Sequence, residues 1–117
     1  YLRHQGSSFV ERFDANSILY ITRAMDYFDL TKQFKGGLTE AFKNQQTKFL
    51  VISFSSDWLY TTKENKDIVI ALNASGADVS YSEIVTDKGH DSFLVNETEF
   101  LKTLKGFVDS MYEKFKR

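Results

Sequence analysis

Apolar and polar positions follow two different periods along this chain, and the places where the period changes mark its elements. Leu2, Phe9, Val10 and Phe13 suggest a helix over Leu2–Phe13, with a weak point at Gly6-Ser7-Ser8. Asp14 or Asn16 can cap a second helix, Ser17–Asp29, on which Ile18, Ile21, Met25 and Phe28 recur at helical spacing. Leu19, Tyr20, Ala24 and Tyr27 make that helix apolar around much of its circumference, so it needs partners on more than one side. Gly36-Gly37 closes this region, and Leu38–Asn44 reads as a short helix.

The period then shortens. Lys48–Phe54 is a nearly continuous apolar run, the pattern of a strand buried on both faces in a parallel sheet. Thr61-x-x-Glu64 forms a capping box for a helix to Ser75, with Ile68, Val69 and Leu72 inward and Gly76 as terminator. Val79–Val85 alternates and reads as a second strand. The last element, Glu97–Lys116, is expected to be capped by Asn96 with Glu99 and to bury Leu101, Leu104, Val108, Met111 and Phe115. Its basic end, Lys114-Phe115-Lys116-Arg117, complements the helix dipole. Strand, helix, strand with a repeat length of roughly thirty residues is a βαβ unit, expected to be parallel and right-handed. The fold class is therefore α/β, with two strands whose sheet is marginal alone and open at both edges.

Composition narrows the function. At 117 residues, 42% hydrophobic, 26% charged and net charge −1, the chain is at most one ordinary globular domain. Mixed charge leaves no electrostatic footprint for nucleic acid or an anionic membrane, and no apolar run approaches the roughly 18 residues of a membrane span. Without cysteine there is no disulfide, thiolate metal site or cysteine nucleophile, a composition compatible with a reducing cytoplasm. Two histidines far apart are poor material for a metal site, and none is expected. The opening Tyr1-Leu2-Arg3-His4-Gln5 has neither an initiator methionine nor a signal-peptide pattern, as expected of a segment of a longer chain.

Candidate chemistry lies in Thr86-Asp87-Lys88-Gly89-His90-Asp91-Ser92-Phe93-Leu94, a loop leaving the carboxyl end of the second strand. That is where open α/β sheets bind ligands. A histidine there can serve as acid and base near neutrality, or be an ordinary solvated loop residue. Asp57 occupies the equivalent place after the first strand. Neighbouring parallel strands lie about 4.8 Å apart, so the two loops can bring this carboxylate to the imidazole. A carboxylate on Nδ1–H fixes the tautomer that leaves Nε2 free as a base. The order acid then histidine matches the back half of a Ser…Asp…His triad. Alternatively, Asp57 caps the helix that starts near Thr61.

Several separate segments also resemble the homoserine O-acyltransferase family, in that family's order. They are Tyr1-Leu2-Arg3-His4-Gln5-Gly6, Phe9–Ser17, Leu19–Asp29, Ser53–Tyr60, Gly76–Ile84 and Gly89–Leu94. The resemblance implies an α/β-hydrolase fold, of which this chain is a C-terminal fragment. Residues 1–45 would be cap helices and part of a dimer-forming region, and 46–117 would carry the triad aspartate and histidine. It further implies a cytoplasmic enzyme of methionine biosynthesis that acylates the hydroxyl of L-homoserine. Acetyl-CoA or succinyl-CoA would be the co-substrate, with no other cofactor, and the mechanism a ping-pong through an acyl-serine. Asp57 and His90 match the catalytic pair, and Asp91 matches a substrate-binding aspartate suited to homoserine's ammonium. Read by itself, Asp91 is equally a loop or capping residue, while Tyr1, Tyr20, Tyr27 and Phe28 read as packing residues.

One departure matters. No G-x-S-x-G elbow occurs in the chain, and Ser55 and Ser56 belong to the aspartate loop, so no nucleophile is present. The fragment alone is expected to be inactive. Two other functions fit the same residues: an ester or thioester hydrolase on the same scaffold, and a non-enzymatic dimerisation module built on the apolar helices.

Overall fold

A computed structural model describes residues 1–116. The centre is a two-stranded parallel sheet, β1 (Lys48–Phe54) and β2 (Asp78–Ile84), in continuous register from Lys48 opposite Asp78 to Phe54 opposite Ile84. The four helices before the sheet are α1 (Leu2–Arg12), α2 (Ala15–Tyr27), α3 (Leu30–Gln33) and α4 (Gly37–Ala41). The crossover helix α5 (Thr62–Ala74) joins the strands, and a 3₁₀ turn (His90–Leu94) leads to α6 (Thr98–Phe115). The expected parallel βαβ unit is present.

Local chemistry sets the ends of α5. Thr61 accepts from the Glu64 amide while the Glu64 carboxylate accepts from the Thr61 amide, the reciprocal capping box. Gly76, at φ +82°, takes the left-handed turn after the C-cap Ser75. The two faces of the sheet are covered differently. Toward α5, Ser53 and Tyr81 share a 2.7 Å hydroxyl bond, and the Thr62 hydroxyl reaches both Ser53 and Glu83 at 3.3 Å. Lys66 adds an ion pair to Glu83 at 3.0 Å. Toward α6, the Phe54 and Phe100 rings meet at 5.7 Å. The buried apolar side chains are Phe54, Ala71, Leu72 and Ile84. The larger three contribute about 1.5–3 kcal/mol each.

Several expectations are corrected. β1 is fully buried only at Ser53 and Phe54, because in a two-stranded sheet each strand has one unpaired edge, and much of both faces stays uncovered. On α5 the buried residues are Ala71 and Leu72, whereas Ile68 is 37% exposed. The N-cap of α6 is Glu97 rather than Asn96. Its carboxylate makes no cap bond; it is drawn to Lys88 Nζ at 2.8 Å and the Thr86 hydroxyl at 3.3 Å. The apolar stripe expected inside on α6 faces outward: Leu101, Leu104, Val108 and Phe115 are exposed, and Met111 alone is half-buried. Phe100, Thr103 and Phe107, with Met111, form the less exposed side. Arg117 lies outside the described residues.

At the other end, α1 runs through Gly6-Ser7-Ser8 without a break. Asp14, not Asn16, caps α2 by accepting from the Ser17 amide at 2.7 Å. Asp29 starts α3, a single turn the hydropathy pattern did not reveal, by accepting from the amide and hydroxyl of Thr31. Only Ser8 of α1 is half-buried, and every residue of α2 is exposed. The radius of gyration, 18.2 Å, exceeds the about 13 Å of a compact chain of this length, because α1 and α2 project from the sheet. Among the described residues no helix is long and apolar enough to cross a membrane.

Candidate active site

The loops after the two parallel strands meet. His90 Nδ1 lies 2.9 Å from Asp57 Oδ2, joining residues 33 apart in the chain. The Asp57 side chain is 6% exposed and that of His90 33%, so the carboxylate is enclosed while the imidazole keeps an open side. Asp57 also caps its own loop: Oδ1 accepts from the amides of Leu59 at 2.9 Å and Tyr60 at 3.0 Å. Asp57 does not cap α5, whose N-cap is Thr61; one of its oxygens serves the turn before that helix and the other the imidazole. Burial, the largest influence on this carboxyl, pushes its pKa up. The His90 bond and the Tyr60 and Leu59 amides together outweigh burial and hold it below the usual aspartate value. The carboxylate is the form this loop is built to hold.

Further residues fix the imidazole that the spacing of acid and histidine does not point to. The Tyr60 ring lies 5.1 Å from His90 at a tilt of 48°, and Phe93 meets it edge-on at 5.7 Å. Ser55 Oγ donates to the Thr86 carbonyl at 3.1 Å and accepts from the Thr86 amide at 3.0 Å. Ser56 Oγ accepts from the Gly89 amide at 2.9 Å. Ser92, fully buried, donates to the Gly89 carbonyl at 2.6 Å. Gly89 itself has φ +69° and ψ −152°, a conformation reserved in practice for glycine. A serine hydroxyl carries no periodic signal, so only the folded loops reveal these contacts.

Asp91 stands on the 3₁₀ turn next to His90, exposed, and does not line the hollow beside the pair. That hollow, of about 300 Å³, is lined in part by Phe54, Asp57, Tyr60, Asn65, His90 and Phe93. The larger hollow, about 550 Å³, lies in the bend from α1 to α2 and lacks an acid–base pair. His4, the second histidine, is on α1, away from this site. Among the described residues no group of three potential ligands could hold a metal ion. Chemically, the arrangement offers an imidazole with its Nδ1 engaged by a carboxylate and its Nε2 free to take or give a proton.

No protein-family model matches the chain. Among curated proteins it is 64% identical over 114 residues to the homoserine O-acetyltransferase of Pelagibacter ubique, covering 97% of this chain and 31% of that protein. It is 57% identical over 115 residues to that of Rhodospirillum rubrum, covering 98% of this chain and 29% of the relative. Identity to a homoserine O-acetyltransferase of Rhodopseudomonas palustris is 62% over 110 residues, covering 94% and 28%. The chain thus spans about three tenths of the length of the curated relatives it matches. Matched along nearly its whole length at well over half identity, the chain belongs to the homoserine O-acetyltransferase family, as the counterpart of a C-terminal stretch of its members.

Proposed function

We propose that this chain supplies the aspartate and histidine of a Ser–His–Asp triad to an enzyme that moves an acyl group from acetyl-CoA to the hydroxyl of L-homoserine. The observation that carries the reading is the 2.9 Å contact of His90 Nδ1 with the enclosed Asp57 carboxylate, at the carboxyl ends of adjacent parallel strands. In the first half-reaction, His90 Nε2 takes the proton of a serine hydroxyl as that oxygen attacks the thioester carbonyl. The proton then goes to the departing CoA sulfur, leaving an acyl-serine. In the second half, Nε2 takes the proton of homoserine's hydroxyl, the new ester forms, and the proton returns to the serine. Asp57 holds the Nδ1 proton throughout and stabilises each transient imidazolium. Asp91 pairs with homoserine's ammonium. Acetyl-CoA, or succinyl-CoA, is a co-substrate, and no resident cofactor takes part.

The serine must come from outside these 117 residues, which contain no nucleophile elbow. The chain alone is inactive on this reading. The full protein is a cytoplasmic α/β-hydrolase-fold homodimer of methionine biosynthesis, with residues 1–45 as cap helices and 46–117 as the triad-bearing part. The bare apolar surface of α1 and α2, including Phe9, Leu19 and Tyr20, is what such a cap or dimer contact would cover.

The test is acetyl-CoA consumption by the full-length protein carrying this segment, with and without L-homoserine, for wild type and His90→Ala. Homoserine-dependent turnover that the substitution abolishes is expected. Release of CoA that ignores homoserine would make the protein a thioester hydrolase instead. Turnover indifferent to His90→Ala would end the triad assignment.

A further inference from the structure

Two serines without chemistry of their own grip the two peptide groups that flank the Gly89 Cα, just before His90. The Gly89 amide donates to Ser56 Oγ at 2.9 Å, from the aspartate loop. The Gly89 carbonyl accepts from Ser92 Oγ at 2.6 Å and from the Ser92 amide at 3.3 Å. Ser92 is completely buried, and Gly89 sits at φ +69°, ψ −152°. The residue that sends the chain into His90 is therefore held in a sparsely populated conformation by a hydroxyl on each side. Ser56 adjoins Asp57, so the bond to Gly89 links the two loops next to the carboxylate–imidazole bond itself.

We propose that Ser56 is a positioning residue for the acyl transfer, acting through the Gly89 amide and the backbone that runs from it into His90 to hold His90 Nδ1 on Asp57. The inference rests on the triad assignment above. A histidine on a free loop samples both tautomers and many ring directions; only the one with Nδ1–H on the carboxylate leaves Nε2 as a base. Asp57 selects that tautomer once the ring has arrived. Ser56 shortens the search by fixing where the backbone before His90 stands. The hydroxyl is half-buried and neither lines the hollow beside the pair nor contacts the imidazole. Its loss therefore acts on the reactive geometry and not on substrate affinity.

The experiment uses the full-length protein and three readouts on Ser56→Ala and Ser56→Thr. A side-chain-to-backbone hydrogen bond of ordinary strength corresponds to roughly a tenfold effect. Ser56→Ala is expected to lower kcat by about tenfold with KM within about twofold, and Ser56→Thr, which keeps the acceptor hydroxyl, to restore kcat. Long-range ¹H–¹⁵N correlation of the His90 imidazole should show the Nδ1–H tautomer in wild type and Ser56→Thr, and a tautomer mixture in Ser56→Ala. Ser56→Ala with wild-type kcat and an unmixed tautomer would overturn the proposal, as would a Ser56→Thr protein that folds but matches the alanine variant. Should Ser56→Ala not fold, Ser56→Thr decides alone, since a fall in its kcat of more than about tenfold is incompatible with the role. The imidazole spectrum also separates the two levels of inference. If turnover proves independent of homoserine, the substrate assignment fails, yet a tautomer mixture in Ser56→Ala still shows Ser56 holding the histidine.

Discussion

Asp57→Asn separates what the carboxylate does for the fold from what it does for the imidazole. The amide is nearly isosteric with the acid and can turn its carbonyl toward the amides of Leu59 and Tyr60, now bonded to Oδ1 at 2.9 and 3.0 Å. The loop keeps its cap. The other position, 2.9 Å from His90 Nδ1, then carries an NH₂ group that donates instead of accepting. It favours the tautomer with Nδ1 bare and the proton on Nε2, where the base should be. Such an exchange in a Ser–His–Asp triad costs roughly 10⁴-fold in kcat, equivalent to about 5.4 kcal/mol of barrier. Folding should lose only the one charge-assisted bond, about 1.5–3 kcal/mol. Asp57→Ala should abolish turnover as well, and in addition strand two amides at a partly buried turn, for a further about 1–3 kcal/mol each. Steady-state acetyl-CoA:homoserine kinetics on the full-length protein, paired with urea unfolding of both variants, measures the two quantities separately. An asparagine variant with kcat within tenfold of wild type would refute the tautomer reasoning. An asparagine variant as unstable as the alanine one would refute the division of labour between the two oxygens.

Gly89→Ala meets no atom within 4 Å of the new Cβ, so any effect comes from the backbone at φ +69°. The strain is about 1–3 kcal/mol, and it should appear as a lower urea midpoint together with reduced kcat; unchanged values for both would mean the loop does not need this conformation. Acid should loosen the start of α3. The Asp29 carboxyl is lowered to about 2, first by the Thr31 hydroxyl and then by Lys32. A depressed carboxyl contributes stability above its ordinary value of 3.8, and that contribution fades as pH falls through about 2. NMR titration of Asp29 should therefore show a midpoint near 2, with the Thr31 amide shifting in step; a midpoint near 3.8 would remove the cap's electrostatic role.

Which parts of this were legible in the sequence follows from what hydrophobic period can encode. β1 and β2 were visible, β1 at its full length, because a short apolar run and an alternating run each admit few other structures. The Thr61 capping box is a local pattern that needs no tertiary partner, and it formed as read. Asp57 and His90 could be paired because parallel strands place equivalent loop positions side by side. α6 shows the opposite case. It has apolar residues on two sides, and period alone does not say which side meets a sheet; Phe100 and Phe107 do, and Leu101 and Leu104 do not. Its cap is not legible in the local pattern, because the Glu97 side chain is bonded to Lys88 and Thr86 of the preceding loop. α3 is not legible, because a four-residue turn held by one aspartate leaves no periodic trace. The serine contacts around Gly89 were illegible for the same reason.

The pair and the groups that aim it lie within one uninterrupted stretch, from the end of β1 through α5 and β2 to Phe93. Nothing in its bonding reaches back to α1 or α2. On the proposed triad reading the acid–base pair is a self-contained cassette, whose bonding is drawn from its own stretch of sequence. If the proposed triad holds, cutting the full-length chain just ahead of β1 and expressing the halves together would separate the partner that attacks from the partner that moves protons. Each half would be silent, and activity would return only on reassembly, which turns this family into raw material for a split reporter.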